Sequence, residues 1–441
     1  MPRRTTLKHI RGPPSRLPRV AGEGIFQPKF RTRAGELWCE GVALSAVAEA
    51  VGTPVYVYSR ARLLQNYRAL ANAPGAPSLI CYAVKALSNL AVLRLLAEEG
   101  SGFDVVSGGE LARVIAAGGD PAKVVFSGVA KSEDELAEAL GLGIRCFNVE
   151  GEEELELLNE VAVRLGKTAP MSLRVNPHVD ARTHPYIATA LRESKFGVPI
   201  SRARAAYRRA AKLPGVRVTG LDFHLGSQIT SLGPFREALA EIGALWDALV
   251  RDGHPLEHLD VGGGLGIRYQ NKNPPSPQAW LALLRRCLGD RQLELLIEPG
   301  RSIAADAGVL LTRVLGHKRG QARRFLLVDA GMNDLLRPAL YGAYHAILPV
   351  TKTRGRPELL DVVGPVCESA DFLARRRRLV PPARGGLLAV MDAGAYGFTM
   401  GSSYNSRLRP AEVLVDGDRF QVIRERETRA NLWQGERLPE G

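Results

Sequence analysis

The chain has 441 residues, 45% of them hydrophobic, with a formal charge of +13 and five cysteines. That length supports a sizeable core and two domains, and no apolar run reaches the roughly 18 residues of a membrane-spanning helix. The cysteines are odd in number, widely spaced and free of any C-x-x-C pair, which excludes a disulfide framework and points to a reduced, cytoplasmic protein.

Residues 1–25 read as a basic extension, and the start lacks the apolar stretch of a secretory signal. Met1 to Arg33 holds nine Lys/Arg against one acid, Glu23, a net +8 that leaves only +5 for the rest of the chain. Neither this tail nor Arg375-Arg376-Arg377-Arg378 is interleaved with aromatics as a stacking platform would be, so nucleic acid is not an expected partner. Residues 26–54 are expected to add a strand to a β domain built from both chain ends.

From about Val55 to Gly300, short apolar runs alternate with helical stretches. The runs are Val55-Tyr58, Leu79-Val84, Phe103-Val106, Val124-Phe126, Cys146-Val149, Ser172-Val175, Val218-Phe223, Leu259-Val261 and Leu293-Ile297. Ser88 is the expected N-cap of a helix that ends at Gly100. Ser107 with Glu110, and Ser132 with Glu135, fit the capping box. This alternation over residues 55–304 suits a closed (β/α)8 barrel, with an open doubly wound sheet as the structural alternative. After Gly300 the strand-like pieces Val309-Val314, Phe325-Val328, Leu359-Val363, Leu387-Met391 and Glu412-Val415 follow one another, so residues 305–441 read as an all-β domain.

A barrel carries its functional groups at the C-terminal ends of its strands. Lys85 directly follows an apolar run. A desolvated lysine loses its proton readily, which suits Schiff-base chemistry with an aldehyde cofactor. Asp104, His224, Ser227 and Glu298 also fall at strand ends. Gly262-Gly263-Gly264 is a turn whose backbone could cradle a phosphate, with Ser227 adding a hydroxyl. It matches neither a Walker motif nor a dinucleotide fingerprint. Glu298 ends an apolar strand, where a pyridinium nitrogen would be a fitting partner; an ion pair with Arg301 is the plainer reading. His224 could lie flat on a cofactor ring or be an ordinary core histidine. In the β region, Arg337, Tyr341, Cys367, Glu368 and Tyr396 suit a small zwitterion bearing carboxylates and an amine. No metal site is expected.

These stretches resemble the diaminopimelate decarboxylase family, within the alanine-racemase-like, fold-type III enzymes that use pyridoxal phosphate (PLP). The matching motifs include Tyr82-Ala83-Val84-Lys85-Ala86, Asp104-Val105-Val106-Ser107-Gly108-Gly109-Glu110, His184-Pro185-Tyr186-Ile187 and His224-Leu225-Gly226-Ser227-Gln228. They continue through the triple glycine, Glu298-Pro299-Gly300-Arg301, Cys367-Glu368-Ser369 and Tyr404-Asn405-Ser406-Arg407. The resemblance implies a PLP-binding barrel with a C-terminal β domain, and a homodimer with shared active sites. It implies Lys85 as the Schiff-base lysine, Glu298 at the pyridine nitrogen and His224 on the ring. Ser227, Gly263, Gly264 and Gly300 would hold the phosphate, and Arg301, Arg337 and Tyr341 the substrate's far end. Cys367 as proton donor and Glu368 at the distal amine would come from the partner subunit, while Tyr396 would touch cofactor and substrate. The implied reaction converts meso-2,6-diaminopimelate to L-lysine and CO2. The alternative is a related decarboxylase of ornithine, arginine or a carboxylated polyamine. A racemase would need a second acid/base that is not evident, and a dead relative should have lost Lys85 or Cys367.

Overall fold

The computed structural model describes residues 30–180, 184, 194–270 and 273–440. The basic extension and the motif residues Pro185, Tyr186 and Ile187 lie outside the described residues. Strands β1 (Phe30–Arg33), β2 (Glu36–Cys39) and β3 (Val42–Ala43) form a small antiparallel sheet. Its buried face, with Phe30, Leu37 and Cys39, packs against Val55, Val309 and Val413. Leu37 N–H also donates to Val350 O at 2.7 Å, which ties this segment to the C-terminal region.

Strand β4 (Val55–Ser59) corrects one expectation. It was read as the opening run of the barrel alternation. Instead it pairs antiparallel with Gly308–Leu311 and parallel with Ala411–Val415, in the middle of the second domain's sheet. Both sites bury a strand on two faces, so its unbroken apolar run reads the same in either.

The barrel consists of β5 (Leu79–Ala83), β6 (Gly102–Val105), β7 (Val124–Phe126), β8 (Cys146–Val149), β9 (Ala169–Asn176), and, after the short β10 (Val198–Pro199), β11 (Val216–Asp222), β12 (His258–Asp260) and β13 (Glu294–Ile297). β10 lies outside the ring and, among the described residues, pairs with β9 alone. The other eight are parallel, and the β8–β9 and β13–β5 pairs close the ring, so the open-sheet alternative is set aside.

The helices outside it begin at local caps. Ser132 and Glu135 make both bonds of a capping box. Ser107 accepts from Glu110 N–H at 3.2 Å, but the Glu110 carboxylate reaches Val106 N–H at 2.9 Å, so only half of that box forms. The helix Leu90–Glu98 is capped by Asn89, whose Oδ1 accepts from Ala91 N–H at 3.0 Å, and not by Ser88. Among the described residues no helix is long and apolar enough to cross a membrane.

The second domain comprises β14 (Gly308–Arg319), β15 (Arg324–Val328), β16 (Ile347–Pro349), β17 (Glu358–Val363), β18 (Phe372–Leu379), β19 (Leu387–Val390), β20 (Ala411–Asp416) and β21 (Arg419–Arg424). Its main path runs β18-β17-β15-β14-β4-β20-β21, with β19 on β14 and β16 on β19. The four-arginine cluster lies on β18. Arg375 stacks on Phe372 at 3.8 Å and Arg377 on Tyr344 at 4.0 Å, so part of that charge is spent inside the domain.

Candidate active site

Lys85 sits in a tight 3-10 turn, Val84–Ala86, at the end of β5. It is ion-paired with Asp104 on the neighbouring β6, and its side chain keeps 35% exposure while that of Asp104 keeps none. Burial opposes the charge on Lys85. The carboxylates of Asp104 and Glu298 outweigh it and hold the ammonium above the ordinary lysine range. Lys85 here stands paired with Asp104.

Glu298 follows the C-terminal end of β13 and is buried. Its Oε1 accepts from Ser127 Oγ at 3.0 Å and from Asn148 Nδ2 at 3.4 Å. Asp222 and Asp260, at the ends of β11 and β12, each bring an oxygen so close that the three carboxylates fall within 4.8 Å of one another. Three such groups cannot all ionise in a buried site. Burial, then Asp104 and Asp260, raises Glu298 well above the carboxylate range. Burial, then Asp222, pushes Asp260 up to about 8. Asp104 Oδ1, Asp222 Oδ1 and Asp260 Oδ2 are buried with no hydrogen-bond partner. A protonated ring nitrogen is a group these crowded carboxyl oxygens could partner.

The glycine turn follows β12. A Cβ at Gly263 would stand 2.2 Å from Glu298 O, and one at Gly264, where φ is +99°, 2.5 Å from Gly226 O. Only glycine fits such approaches. Gly263 N–H donates to His224 Nδ1 at 3.1 Å, which requires that nitrogen to be unprotonated. Burial, then Arg174 and Lys85, drives the His224 pKa well down, so its ring is neutral. Gly300 packs against Ala83 and Ala86, with room for no more than a strained Cβ at 3.0 Å from Ala86. That contact brings Arg301 to the turn that carries Lys85. From the second domain, Tyr396 N–H donates to Ala86 O at 2.8 Å, and its ring lies 4.7 Å from the Arg301 guanidinium. A cavity of about 410 Å3 opens here, lined among others by Lys85, Glu110, Arg113 and Tyr396.

Beside it the two expected arginines meet. Arg301 donates to Ser227 Oγ at 3.0 Å and to Tyr269 Oη at 2.8 Å. Arg337 stacks on the Tyr269 ring at 4.8 Å and hydrogen-bonds His345 Nε2 at 2.8 Å. Both arginines are buried, and the Nε of each has no partner. Tyr341, on the same short helix as Arg337, meets the edge of His184 at 5.7 Å. Cys367 and Glu368 are exposed instead. Cys367 N–H donates to Asn405 Oδ1 at 2.7 Å, and Glu368 interacts with the Tyr404 phenol. Sequence reasoning missed Tyr269, His345, Ser127, Asn148, Asp222 and Asp260 as site residues. For Tyr269 a signal existed, an aromatic closing the loop that opens with the glycine turn.

An amine for an aldehyde, an acid for a ring nitrogen and a glycine turn for a phosphate are three demands of one molecule, pyridoxal phosphate. A closed barrel that meets them at its mouth, with a β-domain tyrosine reaching in, defines the fold-type III class of PLP enzymes. Residues 60–305 match the family model described as the pyridoxal-binding domain of pyridoxal-dependent decarboxylases. The diaminopimelate decarboxylase of Pseudomonas aeruginosa is 55% identical over 410 residues, 93% of this chain and 99% of that one. The Helicobacter pylori diaminopimelate decarboxylase complexed with L-lysine superposes with a TM-score of 0.86 at 41% identity, covering 88% of this chain and 98% of that one. The M. jannaschii diaminopimelate decarboxylase in co-complex with L-lysine gives 0.88 at 37% identity, covering 93% and 98%. This chain belongs to the diaminopimelate decarboxylase family.

Proposed function

We propose that this chain removes CO2 from meso-2,6-diaminopimelate to leave L-lysine, the last step of lysine biosynthesis. The observation that carries the choice of substrate is the buried pair Arg301 and Arg337, joined through Tyr269 beside the site of Lys85. Two buried guanidiniums with unsatisfied Nε groups call for a carboxylate at the far end of the substrate. The relatives named for this reaction, and the solved members complexed with L-lysine, support the same reading.

Lys85 would hold the cofactor's aldehyde end, and Glu298 would keep its ring nitrogen protonated. His224, neutral, offers its face to the ring, and Asp104 steadies the Lys85 ammonium. Ser227, Gly263, Gly264 and the turn at Gly300 would hold the phosphate. When bound, PLP supplies a sink for the electron pair left by departing CO2. Arg301, Arg337 and Tyr341 fix the far carboxylate, so that the bond to be broken points into the site. Tyr396 closes over both cofactor and substrate. Cys367 and Glu368 serve the active site of the other protomer in a homodimer. There Cys367 returns a proton to the carbon that lost CO2, and Glu368 meets the distal amine. Their exposure in the single chain supports this reading. The free cysteines suit a cytoplasmic protein.

The test is CO2 release from meso-diaminopimelate beside ornithine and arginine, with borohydride trapping of the cofactor on Lys85. Preference for ornithine or arginine, or an adduct on another lysine, would overturn the proposal.

A further inference from the structure

The geometry points to His345 as the positioning residue that presents Arg337 to the substrate's far carboxylate, with Tyr269 as the spacer between the two arginines. This rests on the reading of the substrate given above and adds to it how the carboxylate site is held open.

His345 is fully buried, just before β16. Both ring nitrogens are engaged. Nδ1 lies 2.8 Å from Met391 O, and Nε2 lies 2.8 Å from Arg337 Nη1. A carbonyl only accepts and a guanidinium only donates. Nδ1 must therefore carry the proton and Nε2 must offer its lone pair. Only the neutral Nδ1–H tautomer satisfies both bonds.

The charged groups facing the ring agree. Arg337, Arg301 and Arg377 act on it, all of them cations. Arg377 also donates to the backbone O of His345 at 3.0 Å, pinning the segment. Burial, then Arg337, pulls the imidazole pKa down to about 3, so it stays neutral throughout the working range.

The ring thus occupies one edge of the Arg337 guanidinium. Tyr269 covers its face at 4.8 Å and stands edge-on to His345 at 5.4 Å. The Tyr269 hydroxyl accepts from Arg301 at 2.8 Å. Two like charges thereby share one phenol. The Nε of each arginine is buried without a partner. An arginine held on one edge and one face has little rotamer freedom left to lose when a carboxylate arrives.

The side-chain amide of Gln can place an acceptor where Nε2 stands, whereas Asn can reach only the Nδ1 position. His345→Gln therefore keeps the bond to Arg337, and His345→Asn loses it. The readout is the absorbance change of the PLP-loaded enzyme on titration with L-lysine, which carries the carboxylate, and with 1,5-diaminopentane, which lacks it. Turnover of meso-diaminopimelate gives KM and kcat separately. His345→Asn should weaken L-lysine and raise KM by about ten- to a hundredfold, the scale of a lost charge-assisted contact. 1,5-Diaminopentane and kcat should stay within about threefold, and His345→Gln should recover most of the loss. Equal weakening of both ligands, no weakening of either, or no recovery in His345→Gln would overturn the proposal. If His345→Asn does not fold, Tyr269→Phe decides. It keeps the ring but removes the hydroxyl on Arg301, and should weaken L-lysine alone; an unchanged L-lysine affinity would overturn the inference. A wild-type enzyme that binds L-lysine but does not decarboxylate diaminopimelate would overturn the reaction, while the two titrations would still decide the role of His345.

Discussion

Burial, then Asp104 and Asp260, raises the Glu298 carboxyl well above the ordinary carboxylate range. In the proposed chemistry it would ionise against a protonated nitrogen on the cofactor ring. Glu298→Gln should keep some bound PLP yet lose on the order of 3 kcal/mol of barrier stabilisation, the usual cost of removing one preorganised electrostatic partner. Single-turnover CO2 release measures this, and a rate near that of the wild type would refute the role. Asp392 shows the stability side of the same physics. Burial, then Asp306, pushes its pKa up to about 8 from the ordinary 3.8. The folded state therefore holds a proton that the unfolded state gives up. Stability is full below pH 3.8 and is lost as pH rises toward 8, by up to about 1.4 kcal/mol per unit. Denaturant unfolding of the cofactor-free protein between pH 6 and 8 should show this fall, and Asp392→Asn should flatten it. An identical slope in the variant would mean that another group titrates.

At the scale of elements, the two domains are joined by side chains that the caps already employ. Asn89 caps the helix Leu90–Glu98 and also donates to Glu412 Oε2 of β20 at 3.0 Å. Tyr58 of β4 donates to Glu412 Oε1 at 2.8 Å. Asn89→Ala should thus cost more than a cap alone, about 2 kcal/mol by thermal or denaturant unfolding. A loss below about 0.5 kcal/mol would mean that the link to Glu412 contributes nothing. Much of this was legible in the sequence. The barrel strands from β5 to β13 read as short apolar runs because both of their faces are buried, and Lys85, Glu298 and the glycine turn stood out as polar groups at their ends. β4 was misassigned because its partners, β14 and β20, lie hundreds of residues away and leave no local mark. β18 carries the pattern of a charge cluster although it is a strand, with Arg375 and Arg377 lying on aromatic rings. The choice between adjacent Ser88 and Asn89 was beyond propensity, since either side chain can cap. His345 had no sequence signature of its own, and Tyr269 had only its place at the close of the loop that opens with the glycine turn. Their roles arise only when β13 and the second domain bring Arg301 and Arg337 together.

At the scale of the molecule, each domain supplies part of the site, and the proposed proton donor Cys367 stands apart from it. Lys85, Glu298, His224 and the two arginines converge, whereas Cys367 and Glu368 face outward. A thiol can return a proton to carbon only if it reaches that carbon. For Cys367 to be the proposed donor, the outward loop has to swing in or serve a second copy of the chain. Mixing two inactive variants separates these cases. In a heterodimer of Lys85→Ala with Cys367→Ala, a shared arrangement gives one site both lesions and the other site neither. Random reassembly of equal amounts makes half the dimers mixed, and each mixed dimer has one of two sites intact. About a quarter of the wild-type activity should return. Recovery should appear only after subunits exchange, and it should track the mixed-dimer fraction measured by native mass spectrometry. Exchange without recovered activity would place Cys367 in the site of its own chain or remove it from the chemistry. A fully active monomer at working concentration would exclude the shared site altogether.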